Sequence, residues 1–310
     1  MSGPPEPSTS APEHRAGFAS LIGRPNVGKS TLLNRLLGQK LAIVSPKPQT
    51  TRNRIRGIRT RQARQVIYVD TPGLHPPRGK LGRFLASTVA QAMEDVDVVV
   101  LVADATAPVE PAGGAVFQAL ETVTAPVVLA LNKVDLVADK AALLPRLQAY
   151  AERYPFRALV PISATRGTGV TRFEEVVLAL LPPGPPLYPA DTVTDQPETL
   201  FVAETIREKL LLTLRQEVPY ACAVRVEEIA ERGDDAPLYI RAEIFVERSS
   251  QKAIVIGAAG STLKRIGQAA RRELEAFFGI RVFLDLHVRV RRDWREDDRA
   301  LRELGYQLTS

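Results

Sequence analysis

The sequence predicts a doubly wound α/β domain followed by a small α+β domain, and three features predict it. Between residues 17 and 181, short apolar runs alternate with helical patterns. Most runs are continuously apolar, as strands buried on both faces of a largely parallel sheet must be. The first run passes through a glycine-rich loop into a good helix, the connection that nucleotide-binding α/β domains use. Finally, Pro182-Pro183-Gly184-Pro185-Pro186-Leu187-Tyr188-Pro189 stops the alternation and a different rhythm follows. Such proline density neither continues a helix nor pairs in a central strand, so it reads as a semi-rigid spacer.

In order, the first domain (residues 16–181) carries strands at 18–22, 65–69, 96–102, 127–131 and 158–162. Its helices fall at Lys29–Leu37, 81–94, 112–123, 141–153 and 172–181. The spacer takes 182–197 and the second domain 198–292. That domain reads as a helix at 198–214, strands at 221–228 and 238–247, a glycine-bearing segment at 257–260, a helix at 261–277 and a strand at 281–290. A tail occupies 293–310. Residues 1–15 are rich in Pro, Ser and Glu without an apolar run, so they read as a disordered leader and not a secretion signal.

At 310 residues the chain can build two cores. Its 45% hydrophobic and 25% charged residues are ordinary for a globular protein. The net charge of +6 favours an anionic partner. Cys222 is the single cysteine, so no internal disulfide forms, and a reducing, cytoplasmic setting is expected with a buried structural thiol. No run of about 18 apolar residues occurs, so no membrane-spanning helix is predicted.

The loop Gly23-Arg24-Pro25-Asn26-Val27-Gly28-Lys29-Ser30 fits G-x-x-x-x-G-K-[ST] and is followed by Thr31. Its glycines let backbone amides form an anion nest, and the helix N-terminus adds partial positive charge. Lys29 can reach the β- and γ-phosphates, and the Ser30 hydroxyl can ligate Mg²⁺. Asp70-Thr71-Pro72-Gly73 ends a strand, where the carboxylate can hold Mg²⁺ and the Gly73 amide can bond the γ-phosphate. Asn132-Lys133-Val134-Asp135 ends another. There Asp135 can accept from guanine N1–H and its 2-amino group, a pairing adenine cannot offer, which discriminates by roughly 10⁴–10⁵-fold. Lys133 would lie over the base or brace the phosphate loop. Ser163-Ala164 would give a backbone amide to the guanine oxygen. Each later motif alone is a common turn; all four in order, each at a strand end, specify GTP.

Gln49-Thr50-Thr51-Arg52 lies in a polar stretch, where a hydroxyl of either Thr50 or Thr51 can complete the Mg²⁺ shell and release it after hydrolysis, an order–disorder switch. Leu74 stands where many such GTPases carry a water-orienting Gln, so intrinsic hydrolysis should be slow. Asn26 either recruits K⁺ beside the phosphates or only tolerates an unusual backbone angle. Lys29, Asn26 and Gly73 are the expected catalytic contributors.

In the second domain, Val255-Ile256-Gly257-Ala258-Ala259-Gly260-Ser261-Thr262-Leu263-Lys264-Arg265-Ile266-Gly267 looks like the G-x-x-G turn of a KH domain, which grips about four nucleotides by their backbone. Lys264, Gln268 and Arg271 at i, i+4 and i+7, with Arg265 and Arg272 alongside, predict a basic floor facing the turn. The late position of the turn fits the type II KH order.

Taken together, residues 16–307 resemble the bacterial Era GTPases. The resemblance rests on residues 23–40, 49–58 (QTTRNRIRGI), 70–75 (DTPGLH), 132–136 (NKVDL) and 161–164 (PISA). Outside the GTPase domain it rests on 206–211 (IREKLL), 246–257 (VERSSQKAIVIG) and 297–306 (DDRALRELGY), with Trp294 before the last. The resemblance implies a P-loop GTPase with a type II KH domain, a GTP-driven assembly factor for the small ribosomal subunit. It also implies a KH grip on single-stranded RNA at the 3′ end of 16S rRNA, and presence partly at the cytoplasmic membrane. A monomer is expected. The alternative is a GTP-gated, membrane-associated regulator in which RNA is secondary, but the amphipathic 198–214 helix has no aromatic after Phe201, and core packing explains it. One departure stands out: the family usually has a polar residue inside the turn, and this chain has Ala258-Ala259. RNA affinity is therefore expected to be weaker or less salt-sensitive, with Lys252, Lys264 or Arg265 supplying the charge.

Overall fold

The computed structural model describes residues 14–111, 114–233 and 235–306. The leader up to residue 13, the start of the 112–123 helix and the last four tail residues lie outside them. The first domain runs β1 (Arg15–Ile22), α1 (Lys29–Leu37), β2 (Ile55–Arg61), β3 (Arg64–Asp70), α2 (Gly79–Glu94), β4 (Val98–Asp104) and α3 (Ala115–Leu120). It closes with β5 (Val127–Asn132), α4 (Leu143–Ala151), β6 (Ala158–Pro161) and α5 (Val170–Leu180). The sheet order is β2-β3-β1-β4-β5-β6, parallel from β3 to β6. One core lies under α1 and α5 (Leu32, Leu33, Leu36, Phe173, Val177) and another under α3 and α4 (Phe117, Leu120, Tyr150), so the sheet is wound on both faces.

All five expected strands are present, and a sixth, β2, was not foreseen. It pairs antiparallel with β3 at the sheet edge. Its run Ile55-Arg56-Gly57-Ile58-Arg59 repeats every three residues and shows no period of two, so it read as part of the polar stretch before it. The proline-rich spacer is strapped to this edge: Ile58 N donates to Val193 O (2.7 Å), and Thr194 Oγ1 to Arg56 O (2.7 Å). Gln65 accepts from the amides of Leu187 and Tyr188 at 2.7 and 2.9 Å. An edge strand offers unpaired backbone groups, and a chain held extended by proline can use them without becoming a strand.

The second domain runs α6 (Glu198–Thr213), β7 (Ala223–Ala230), β8 (Leu238–Val246), α7 (Ser249–Ile256), α8 (Ser261–Phe278) and β9 (Val282–Val290). β7 pairs antiparallel and β9 parallel with β8, giving the order β7-β8-β9 and the αββααβ sequence expected of a type II KH domain. α7, which leads into the G-x-x-G turn, was missed because its eight residues are too few to show a period. Cys222 is buried as expected, and burial pushes its thiol up to about 12. No helix among the described residues is long and apolar enough to cross a membrane.

The tail forms a turn at Trp294–Glu296 and then α9 (Asp298–Glu303), capped by Asp297, whose side chain accepts from the amides of Arg299 and Ala300. It packs on α2 of the GTPase domain: Trp294, Leu301, Leu304 and Tyr306 meet Leu81, Phe84 and Leu85. Trp294 is fully buried and its Nε1 donates to Ala221 O (2.9 Å). Trp294→Ala should therefore cost about 3–5 kcal/mol in urea unfolding; a change within about 0.5 kcal/mol would mean the tail contributes no more than an ordinary surface site.

Candidate nucleotide site and RNA-binding groove

β1 enters the glycine-rich loop and α1 leaves it, with Gly28 as N-cap at φ 100° and Gly23 at φ 144°. A Cβ on Gly28 would lie 2.3 Å from Asn132 Nδ2, so only glycine lets the Asn132 strand end close over the loop. Asn132 Nδ2 donates to Val27 O (2.8 Å), and its Oδ1 accepts from Ala164 N (2.9 Å). That one amide side chain locks three motifs together. The Ala164 amide expected at the base is thus engaged by Asn132 in this structure.

Lys29 is buried, its Nζ donating to Gly23 O (3.0 Å) and Arg24 O (3.1 Å). Burial lowers its pKa to about 8 against the opposing pull of Asp70. Ser30 Oγ donates to Asp70 Oδ2 (2.6 Å) and lies 2.9 Å from Thr51 Oγ1, which itself donates to Asp70 Oδ2 (3.3 Å). Asp70 is fully buried, and burial raises its carboxyl to about 6 despite Lys29, Ser30 and Thr51. Its Oδ1 has no partner. Two hydroxyls and one buried carboxylate with an orphaned oxygen are hard donors, few enough to leave room for phosphate oxygens and water, and they fit Mg²⁺. Thr50 lines the same cleft, but its Oγ1 donates to Lys47 O (2.6 Å) and makes no contact with Ser30 or Asp70.

Asn26 adopts φ 62°, and its Nδ2 donates to Pro46 O (2.9 Å). Gly73 packs on Pro25, where a Cβ would come within 2.7 Å of backbone, and Leu74 N donates to Gly23 O (2.9 Å). The Leu74 side chain is half-buried in the core beneath α3. Asp135 is exposed in a short turn at Val134–Leu136, and a hydrogen bond from Ser163 holds its carboxyl below the usual range. Lys133, at φ 67°, lines the cleft of about 470 Å³ and pairs with Asp104 Oδ2 at 2.6 Å. Burial pushes Asp104 up, but bonds from Lys133 and Thr106 outweigh it and hold the carboxyl down. Sequence reasoning missed Asp104, although a carboxylate at a strand's C-terminal end was the signal that had found Asp70. It also missed Arg35, whose Nε donates to Ala164 O (2.9 Å) and ties α1 to the base loop.

In the KH domain, Gly257 takes φ 75° and Gly260 φ 77°, with Ala259 at φ 47° between them. A Cβ on Gly257 would lie 2.3 Å from Thr262 Oγ1, whereas one on Gly260 would meet nothing within 4 Å, leaving open space above the turn. A groove of about 460 Å³ runs beside it, lined by Lys264, Gln268 and Arg271 as expected, over Leu263, Leu284 and Leu286. Ala258 and Ala259 are exposed. Arg265 and Arg272 are exposed on α8 but do not line the groove, because one residue along a helix turns the side chain by about 100°. Lys252, on α7, does not line it either.

A family model described as 50S ribosome-binding GTPase matches residues 18–133, and a KH domain model matches residues 217–295. The chain is 50% identical to the GTPase Era of Geobacter metallireducens, over 94% of this chain and 98% of that protein. This chain belongs to the Era family of GTPases. The GTPase Era of Geotalea uraniireducens is likewise 50% identical, over 95% and 99% of the two chains. An Aquifex aeolicus Era variant bound to GDP·AlF₄⁻ is 39% identical, with a TM-score of 0.91 over 95% of this chain and all of that one. The same identity, coverage and TM-score hold for Era in complex with MgGDPNP and nucleotides 1506–1542 of 16S ribosomal RNA.

In this Era-family chain the two functional regions meet directly. Arg52, next to Thr51, is fully buried: Nη1 donates to Cys222 O (2.8 Å), Nη2 to Tyr220 O (2.9 Å), and the guanidinium lies over the Trp294 and Tyr306 rings at 5.8 and 6.0 Å. From the other side Arg207 of α6, paired with Glu204, donates to the carbonyls of Gln49 and Thr50. Lys47 donates to the carbonyls of Leu211 and Leu214. α6 is therefore buried on both sides: Phe201, Val202, Ile206 and Leu210 in the KH core, Glu204, Arg207 and Glu208 against residues 40–52. For the nucleotide site, Gly28→Ala should lower affinity for a fluorescent GDP analogue about tenfold or more, through strain at φ 100° and the clash with Asn132; unchanged affinity would show that the loop tolerates their separation.

Proposed function

We propose that this chain is a GTP-hydrolysing switch that binds single-stranded RNA at the 3′ end of 16S rRNA and acts in assembly of the small ribosomal subunit. One observation carries the coupling. Thr51 and Arg52 are consecutive, yet the first touches Ser30 and Asp70 while the second is buried against the KH domain and tail. A segment that follows the γ-phosphate therefore moves a group the RNA-binding domain is packed around. The contact is direct, between residues 47–52 and α6, the turn before β7 and the tail.

In this reading Ser30, Thr51 and Asp70 hold Mg²⁺, which when bound neutralises charge at the β- and γ-phosphates. Lys29 exchanges the carbonyls of Gly23 and Arg24 for phosphate oxygens, and the Gly73 amide faces the γ-phosphate. Asp135 accepts from the two guanine donors. Leu74 offers no group to orient water, so turnover is slow, and the Asn26 side chain supplies an oxygen for K⁺ beside the phosphates. The rRNA assignment is supported by the complex of the Era homologue and by the basic groove beside Gly260. Membrane association draws no support from α6, whose Phe201, Val202, Ile206 and Leu210 lie in the KH core.

Two experiments test this. In GTPase assays, Thr51→Ala should raise the Mg²⁺ concentration needed for half-maximal turnover while Thr50→Ala leaves it unchanged, and Na⁺ in place of K⁺ should slow the wild type; the reverse threonine pattern would move the metal site, and equal rates in the two salts would remove K⁺. Fluorescence anisotropy with an oligonucleotide from the 16S rRNA 3′ end should show tighter binding with a non-hydrolysable GTP analogue than with GDP, and loss of binding in Gly260→Asp. Equal binding in both nucleotide states would dismiss the coupling.

A further inference from the structure

Phe283 is the most exposed aromatic side chain near the KH groove, at 55% of its surface. It stands on β9, the edge strand of the sheet, and lines the groove that carries Gly260, Lys264 and Arg271, its ring set with Tyr239 and Asp285 on the sheet face opposite Leu284 and Leu286. Its ring is not isolated. It stacks on Tyr239 of β8 at 5.8 Å between centroids and 12° between planes, the two residues being register partners. Tyr239 is fixed in turn: its hydroxyl donates to Asp285 Oδ2 (3.1 Å), and the Arg232 guanidinium lies 3.3 Å from its ring centroid. Arg232 and Phe283 both lie against Tyr239; the Arg232 side chain is exposed too and pairs with Glu228 (3.6 Å), and Phe283 is the member that lines the groove.

A preorganised stack ending in an exposed ring beside a basic groove suits one ligand chemistry. Unpaired bases present two π-faces, and base–aromatic stacking is largely indifferent to which base is bound. Lys264 and Arg271 bring backbone phosphates to the same groove. We propose that Phe283 is a base-stacking subsite that extends the KH grip by one nucleotide beyond those held at the turn. It compensates for a turn whose two inner residues are alanines, by replacing part of the electrostatic contact with stacking. The subsite rests on the RNA reading given above.

The test uses the full chain and single-stranded RNA oligomers of four nucleotides and of five or six, extended at either end, with 2-aminopurine placed at each added position. The wild type should bind one extended oligomer about tenfold or more tightly than the four-nucleotide one, with the added 2-aminopurine quenched by stacking. Phe283→Ala should erase both the gain and the quenching while leaving the short oligomer unaffected, and Phe283→Tyr should keep them. Because the ring is exposed, thermal unfolding of these variants should match the wild type, and Phe283→Leu repeats the test with bulk retained. If Phe283→Ala and Phe283→Leu bind every oligomer as the wild type does while Gly260→Asp binds none, the subsite is wrong and the RNA reading stands. Wild-type protein that binds none of them in either nucleotide state overturns both.

Discussion

The guanidinium of Arg52 is held entirely out of water by the carbonyls of Tyr220 and Cys222 and by the rings of Trp294 and Tyr306. Removing such a charge from solvent costs several kcal/mol, and the cost is offset only while its donors are engaged and its faces covered. The cation comes from residues 50–52 of the GTPase domain, and its walls from the turn before β7 and the C-terminal tail. Its Nε is already without a hydrogen-bond partner, so loss of either carbonyl leaves still more of the buried cation unpaired. The three segments are thereby made interdependent, so the conformation of Thr51 is tied to the seating of the tail.

Beside the apolar seat of the tail on α2, the contact between α6 and residues 40–52 is polar. Lys40 pairs with Glu208 and Glu273 at 2.7 Å, and Lys209 joins the same two carboxylates. Lys40 is 37% exposed, so its pairs add little to stability. They set position instead, since each carboxylate accepts from groups on different elements. Glu208 also accepts from the Val44 amide (2.9 Å), and these bonds and Lys209 hold its carboxyl low against the opposing effect of burial. That polar contact can rearrange without exposing a large apolar face, whereas the seat of the tail cannot.

The candidate nucleotide site could be read from the sequence because its motifs are local. A phosphate loop, a strand-end carboxylate and an Asn-Lys-x-Asp turn each bring their donors within a few residues, and strand ends of one parallel sheet point them to one cleft. Legibility failed where the deciding neighbour was distant. Thr50 and Thr51 are chemically identical and adjacent; only the approach of Ser30 and Asp70 to one of them separates the two. β2 was hidden because Ile55-Arg56-Gly57-Ile58-Arg59 repeats every three residues and shows no period of two, and α7 because it is short. Phe283 and Tyr239 lie 44 positions apart and become a stack only through the register of β8 and β9.

By itself the sequence determined the two domains, the parallel sheet, the GTP-specific motifs and the KH turn. Each of these follows from periodicity or from backbone needs that a few neighbouring residues satisfy. Tertiary structure alone decided that Thr51 faces Asp70, that Asn132 locks the base loop to the phosphate loop, and that Arg207 and Arg52 hold residues 49–52 from opposite sides. It also decided that α6 is buried on its charged side as well as its apolar one. The reason is physical: a buried charge is tolerated only where partners arrive from elsewhere in the chain, and no local pattern records their arrival.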